Sequence, residues 1–350
     1  MRRVIVLGGT GFFGGIIVAL LRERGMEPVA ASRSAGAALR LDAEDPGSLR
    51  EVLRPQDVIV DAAGPFQQRT AALLDAVIER GCDVIDISDS LRYTRLVHAR
   101  ADAISGAGIA VLTSCSSIST VLAATVTASG IADPAIIRGF IRPASRETSH
   151  AATVRAFLAS IGRPIETFDN GQLRGATGWR RSRTFPASGA RSGLVESAAA
   201  LTLPRAWPNL RAVEIFVDPN LPRAIAVGLD AAARAAWLRR ATLRMLPALL
   251  AVGRLLGSPH GAFAVEIEGG GEAITRILSA SRGSYLTAVL PAVIAASRLA
   301  ADRFPHAGVV GADRQVDPDE LFAELHRFGI TSRTASRPIP RVARSSPPRR

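Results

Sequence analysis

The 350-residue sequence contains no lysine; all 43 of its basic residues are arginine. Schiff-base catalysis by a lysine amine and the P-loop, whose lysine reaches the phosphates, are both excluded. Cysteine is nearly absent. Cys82 and Cys115 are too few for a disulfide framework, so reduced thiols and a cytoplasmic setting are expected. Aromatic residues make up 5% of the chain, and only Tyr93 and Tyr285 carry a phenol. The five histidines are scattered without metal-ligand spacing, and no metal is expected. Long apolar runs are missing too. Met245 to Val252 in the second half is far short of the roughly 20 residues a membrane-spanning helix needs. The opening run, Val4 to Leu7, breaks at Gly8 with no small-residue cleavage site after it, which argues against a signal peptide.

What is present is a 47% hydrophobic chain long enough for a large core and two domains. The formal charge is +12, and residues 331–350 carry Arg333, Arg337, Arg341, Arg344, Arg349 and Arg350 with no acid. That segment, with its prolines and serines, reads as a disordered, solvated tail. Nucleic acid is not an expected partner.

Residues 3–115 alternate strand and helix, the pattern of a parallel sheet with helices on both faces. Strands are expected at Val4–Leu7, Pro28–Ser32, Ala38–Leu41, Val58–Ala62, Val84–Ile87 and Ile109–Thr113. Helices fit at Phe12–Arg24, Gly47–Leu53, Thr70–Arg80 and Leu91–Ser105. After Ser119 the strands lengthen, as at Ile136–Ile141 and Val213–Val217. Alternation at Phe263, Val265 and Ile267, then Gly269–Gly271 and Ala273–Leu278, predicts a hairpin in an antiparallel sheet. The expected fold is α/β: a doubly wound Rossmann sheet over 1–125, then an α+β substrate domain over 126–300. C-terminal helices over 301–330 return toward the first domain, ahead of the tail at 331–350. The arginine-rich stretch Ala231–Leu256 reads as a helix covering the second sheet, with contact to a membrane surface as the alternative.

Gly9, Gly11 and Gly14 form GxGxxG between the first strand and first helix, the setting in which glycines let a backbone approach a pyrophosphate at a helix N-terminus. Gly8, Gly9, Thr10, Gly11, Phe12, Phe13 and Gly14 are therefore candidate cofactor contacts. The second strand ends at Ser32 and Arg33, where NAD enzymes usually place a carboxylate on the ribose. A guanidinium there suits a 2′-phosphate, so NADP(H) is the expected cofactor. Asp42 follows the third strand, either beside the adenine edge or capping the next helix. The segment "DAAGPF" leaves the fourth strand where the sheet order reverses, which puts Ala63, Gly64 and Pro65 at the nicotinamide end.

The loop "GGTGFFG" would also suit extended short-chain dehydrogenases, but their tyrosine is acidified by a lysine, which this chain lacks. Taken together, "VIVLGGTGFFGG", "SRSAG", "DVIVDAAGPF", "ERGCDVIDISDS" and "GIAVLTSCSSISTVLAA" resemble the saccharopine dehydrogenase-like family. "HAATVRAFLASIGRP", "GWRRSRTFP" and "LPAVIAASRL" resemble the second domain of its short bacterial members. The resemblance implies a Rossmann domain, a substrate domain inserted before the last helices, and a small-molecule substrate lodged between them. Where many members read Asp-x-Thr/Ser-Gly-Glu, this chain has Asp86, Ile87, Ser88, Asp89 and Ser90, so the Gly-Glu pair is lost.

Hydride transfer needs positioning, a proton donor or acceptor, and exclusion of water. Candidate groups are Asp86 and Asp89 at a strand's carboxyl end, with helix capping as the rival role, and His150 after a later strand. Arg180, Arg181 and Arg183 suit an anionic substrate or a solvated loop. Cys115 sits where a helix N-terminus could activate a thiol. The expected activity is NADP(H)-dependent oxidoreduction at a C=N or C=O group of a small, possibly carboxylated molecule. A non-catalytic NADPH sensor and a peripheral membrane enzyme with a lipid-like substrate stay open, and a homodimer is compatible with the sequence.

Overall fold

The computed structural model describes residues 1–34, 36–148, 160–220, 231 and 244–338. The N-terminal part forms β1 (Val4–Leu7), α1 (Phe12–Glu23), β2 (Val29–Ser32), β3 (Leu39–Arg40), α2 (Pro46–Val52), β4 (Val58–Asp61), α3 (Ala72–Arg80), β5 (Asp83–Asp86), α4 (Leu91–His98), α5 (Ala101–Gly106) and β6 (Ala110–Leu112). There follow α6 (Leu122–Ser129), β7 (Pro134–Arg142), α7 (Ser145–Thr148), β8 (Pro164–Asp169), β9 (Gln172–Thr177), β10 (Ser182–Thr184) and β11 (Arg191–Val195). The chain continues through α8 (Ala199–Ala206), β12 (Ala212–Val217), α9 (Leu246–Leu256), β13 (Gly261–Gly269), β14 (Glu272–Ala280), α10 (Leu286–Ala300), β15 (Gly308–Val309), α11 (Pro318–Arg327) and β16 (Thr331–Pro338).

Strands such as β1, apolar at every position and buried at every position, need cover on both faces. They receive it in a parallel sheet of order β15-β6-β5-β4-β1-β2-β3. Val4, Val6, Val58, Val60, Ile85 and Leu112 face α1, α6 and α10, while Ile5, Leu7, Ile59, Val84 and Val111 face α2 to α5. The order reverses between β1 and β4, which opens a crevice at their carboxyl ends. This is the doubly wound architecture expected for the N-terminal half.

The second sheet has order β10-β11-β12-β7-β13-β14-β16, with β8 and β9 branching from β12. Strands β7 and β12 run parallel, so their carboxyl ends lie together. The hairpin of β13 and β14 pairs Phe263 with Leu278 and turns at Gly270 and Gly271, whose φ values of 61° and 86° suit glycine. Ile137, Val213, Ile215, Val265 and Ile267 point inward and join the same core as α10. Both sheets are thus cemented by one apolar mass.

Four features depart from expectation. The single helix over Leu91–Ser105 is two, α4 and α5, parted at Ala99 and Arg100. A two-residue strand, β15, extends the first sheet beyond β6. Helix α10, read as part of the second domain, packs on the first sheet; its end is tied by Arg2 N–H donating to the Ala300 carbonyl at 2.9 Å. Thr331–Pro338, read as the start of a disordered tail, forms β16, paired along β14 from Thr331 opposite Ser279 to Pro338 opposite Glu272. Residues 339–350 lie outside the described residues, as do 232–243 of the stretch 231–256. Its described part, α9, lies beside α7. Among the described residues no helix is long and apolar enough to cross a membrane.

Candidate active site

The glycine loop is fixed by sterics. A Cβ at Gly14 would sit 2.1 Å from the Gly8 carbonyl oxygen, and one at Gly9 would sit 2.8 Å from the Ala30 Cα. Gly8, at φ 71°, would place a Cβ 2.8 Å from the Ala62 carbonyl oxygen and 3.0 Å from the Ala63 Cα. The loop therefore presses on β2, on the start of α1 and on the segment leaving β4. Gly11 is the N-cap of α1; it has no side chain to cap with, and the first turn carries no acid. The amide end of that helix thus keeps its positive pole without an internal anion, which fits a pyrophosphate. Thr10 is exposed, and Phe12 and Phe13 are half-buried with ring centroids 5.0 Å apart. Ala63 is half-buried and Gly64 and Pro65 are exposed beside the loop, joined by a cis peptide.

At the end of β2 the hydroxyls of Ser32 and Ser34 lie 2.6 Å apart, and Ser34 N–H donates to Ser32 Oγ at 3.2 Å. Between them Arg33 is exposed, with no ion-pair partner among the described residues. Asp42 does not cap α2. It accepts from Glu44 N–H at 3.0 Å, while Asp45 is the cap and accepts from Gly47 N–H at 2.9 Å. Glu44 turns instead toward Thr70, accepting from its N–H at 3.0 Å and its hydroxyl at 2.6 Å.

Behind the crevice the candidate Asp86 forms a buried acidic pair with Asp61, a partner that the sequence did not single out. Asp61 and Asp86 end β4 and β5 and stand opposite each other in register. Asp61 accepts from Ala63 N–H at 3.0 Å and from the Arg69 guanidinium, yet burial pushes its carboxyl up to about 6 against the pull of Arg69. Asp86 is fully buried, and one oxygen accepts from Ser88 N–H at 3.0 Å and Ser114 N–H at 2.9 Å. Burial raises its pKa as well. With its oxygen facing backbone amides, Asp86 binds the ends of β5 and β6 together.

Asp89 bridges the two halves. Its carboxylate accepts from Ser197 Oγ–H at 2.7 Å and from Ala198 N–H at 2.9 Å, which caps α8 from another layer of the molecule. Ser90 is the cap of α4, accepting from Tyr93 N–H at 3.3 Å. Burial pushes Asp89 up to about 7, helped by Glu196 and opposed by its two donors. Arg95 of α4 makes a bidentate pair with Glu166 of β8 at 2.7 and 2.8 Å beside it. His150 lies outside the described residues.

The remaining candidates are committed elsewhere. Arg181 pairs with Glu214 at 2.6 Å and Arg183 lies 3.7 Å from the same carboxylate, which also takes Arg138 at 3.0 Å. This is an ion network on the second sheet. Cys115 is buried, and burial drives its thiol well above the usual range, so the thiolate needed for nucleophilic attack is disfavoured. Cys82 is pushed up to about 12 by the same cause. Among the described residues no cluster of His, Cys, Asp and Glu could hold a metal.

Two groups of the second half lie near the glycine loop without a sequence signal. Tyr285 precedes α10 with its ring centroid 5.2 Å from that of Phe12, edge to face. Glu147 of α7 accepts from Gly283 N–H at 2.8 Å, two residues away.

No family model and no curated protein matches the chain. Solved structures do. GenD2 from gentamicin A biosynthesis, in complex with NAD, is 13% identical with a TM-score of 0.44, over 96% of this chain and 97% of that one. An NAD binding oxidoreductase from Klebsiella pneumoniae is 13% identical with a TM-score of 0.41, over 96% of this chain and 99% of that one. A UDP-N-acetylglucosamine 4-epimerase from Bacillus cereus is 19% identical with a TM-score of 0.27. That likeness spans 32% of this chain and 60% of the epimerase. None of the three is a saccharopine dehydrogenase.

Proposed function

We propose that this protein is an NADP(H)-dependent oxidoreductase of the saccharopine dehydrogenase-like type, working in the cytoplasm on a C=N or C=O group of a small molecule. The observation that carries the reading is the uncapped amide end of α1, held by a glycine loop that tolerates no Cβ, at the point where the sheet order reverses. Gly9 to Phe13 would hold the pyrophosphate, and Ala63 to Pro65 would border the nicotinamide. Arg33, exposed between two serines, would take the 2′-phosphate bidentately. When bound, such a cofactor supplies hydride; the chain supplies position, a dry cleft and a proton. Arg181 and Arg183 are spent on Glu214, so the arginine cluster does not support a carboxylated substrate.

Isothermal calorimetry tests the reading. NADPH binds the folded wild type, and Arg33→Ala weakens NADPH by about 10-fold or more, the worth of a bidentate charge-assisted contact, while NADH changes little. Equal losses for both cofactors would remove Arg33 from the 2′-phosphate. Absence of binding by either cofactor would end the oxidoreductase assignment.

A further inference from the structure

The sheet geometry delivers one phenol to the mouth of the crevice. Helix α10 ends under the start of β1, where Ala300 accepts from Arg2 N–H. It therefore runs antiparallel to β1, and its N-terminal end lies at the carboxyl edge of the parallel sheet. Tyr285 stands at that end, half-buried, with its ring on Phe12 of the glycine loop.

The segment around it is held from two sides. Ser284 Oγ accepts from Ala144 N–H at 3.1 Å, and Gly283 N–H donates to Glu147, which ties the turn to the end of β7 and to α7. Thr287 Oγ1 lies 3.1 Å from Ser117 Oγ, which ties it to the turn after β6. A side chain fixed between the cofactor loop and the second sheet is where a substrate trapped between the two would meet it.

Elimination narrows the choice further. There is no lysine in the chain. Tyr93 is fully buried, Asp61 is engaged by Arg69, Asp86 holds backbone amides, and Asp89 caps α8. His98 has both ring nitrogens buried without a partner, and burial lowers its pKa to about 4. That leaves Tyr285, half-buried with its ring against Phe12 and with Glu147 as its charged neighbour.

We propose that Tyr285 is the catalytic proton donor and acceptor at the substrate heteroatom. This rests on the oxidoreductase reading above. In the reducing direction the substrate carbon gains hydride, and the π pair moves onto its oxygen or nitrogen. Tyr285 transfers its phenolic proton to that atom and recovers one from solvent. Burial, aided by the nearby Glu147 charge, lifts the phenol above its ordinary range, so it holds its proton at neutral pH until the far more basic oxygen or nitrogen formed by hydride arrival takes it.

Because the chain has two tyrosines, labelling with ¹³Cζ-tyrosine gives two resonances, which Tyr285→Phe assigns. Saturating NADP⁺ places a cationic ring in the cleft. It should lower the Tyr285 titration midpoint by about half a pH unit or more, while NADPH should not. An unchanged midpoint with NADP⁺ shown by calorimetry to be bound would overturn the proposal and leave the cofactor assignment standing. Absence of NADP⁺ binding would sink both. Against an aldehyde, ketone or imine that the wild type reduces, Tyr285→Phe should lower kcat by roughly 10²- to 10⁴-fold with NADPH affinity within about 3-fold. Undiminished kcat would refute the assignment.

Discussion

Replacing Asp89 with asparagine should change how stability depends on pH while leaving the fold intact. The carboxylate caps α8 through Ser197 and Ala198, and burial lifts it from the usual 3.8 to about 7. A carboxyl whose folded pKa lies above its unfolded value holds its proton more tightly when folded. Its contribution is therefore complete below about pH 4, declines as pH climbs, and is gone above about pH 7. A separation of about three pH units at 1.36 kcal/mol each sets a ceiling on the order of 4 kcal/mol. Residual solvent contact at Asp89 makes this an upper value. Asparagine keeps an acceptor for both donors and is as good a cap as aspartate, but it cannot titrate. Urea unfolding at about pH 5, 6, 7 and 8 should show the wild type losing stability faster than Asp89→Asn, with the variant ahead at the alkaline end. Asp61 and Asp86 tilt both proteins equally, so the difference isolates Asp89. Parallel curves would refute the argument.

Two further outcomes follow from the geometry. Gly14→Ala drives a methyl into the Gly8 carbonyl and should cost about 1–3 kcal/mol in urea unfolding and abolish measurable NADPH binding; an alanine variant that binds as the wild type would contradict the rigid loop. Neither Cys82 nor Cys115 should react with Ellman's reagent in the native protein at neutral pH, whereas both react in urea; rapid native labelling of Cys115 would reopen thiol chemistry.

How far the sequence reveals the molecule depends on the range over which each signal acts. The runs at Val4–Leu7 and Val58–Val60 are apolar without alternation, a pattern that a doubly buried strand imposes on its own residues, and the ends of their strands are legible to within one position. Gly81, left-handed at φ 67°, stops α3 one residue past the expected helix end at Arg80. Strand β15 is two residues long and has no period to detect. Strand β16 is exposed throughout and made of Thr, Ser, Arg, Ala and Pro; the backbone ladder to β14, not burial, holds it, so composition pointed to disorder. The break between α4 and α5 falls at Ala99 and Arg100, neither of which is a helix breaker. At the site, glycines declare themselves because a local turn demands them. Asp89 is legible as a candidate or a cap, but the helix it caps is not, and Tyr285 is not legible as a site residue, because their partners are distant in sequence: Ser197 in one case, Phe12 in the other.

The placement of α10 and β15 has a consequence for synthesis. When residues 1–125 have left the ribosome, one side of the nascent sheet still lacks a long covering helix, and its outermost strand has yet to be made. The half that carries the parallel sheet is the first to be translated and among the last to be finished. A gene cut at the boundary read from the sequence would yield a fragment with an open apolar flank, prone to self-association.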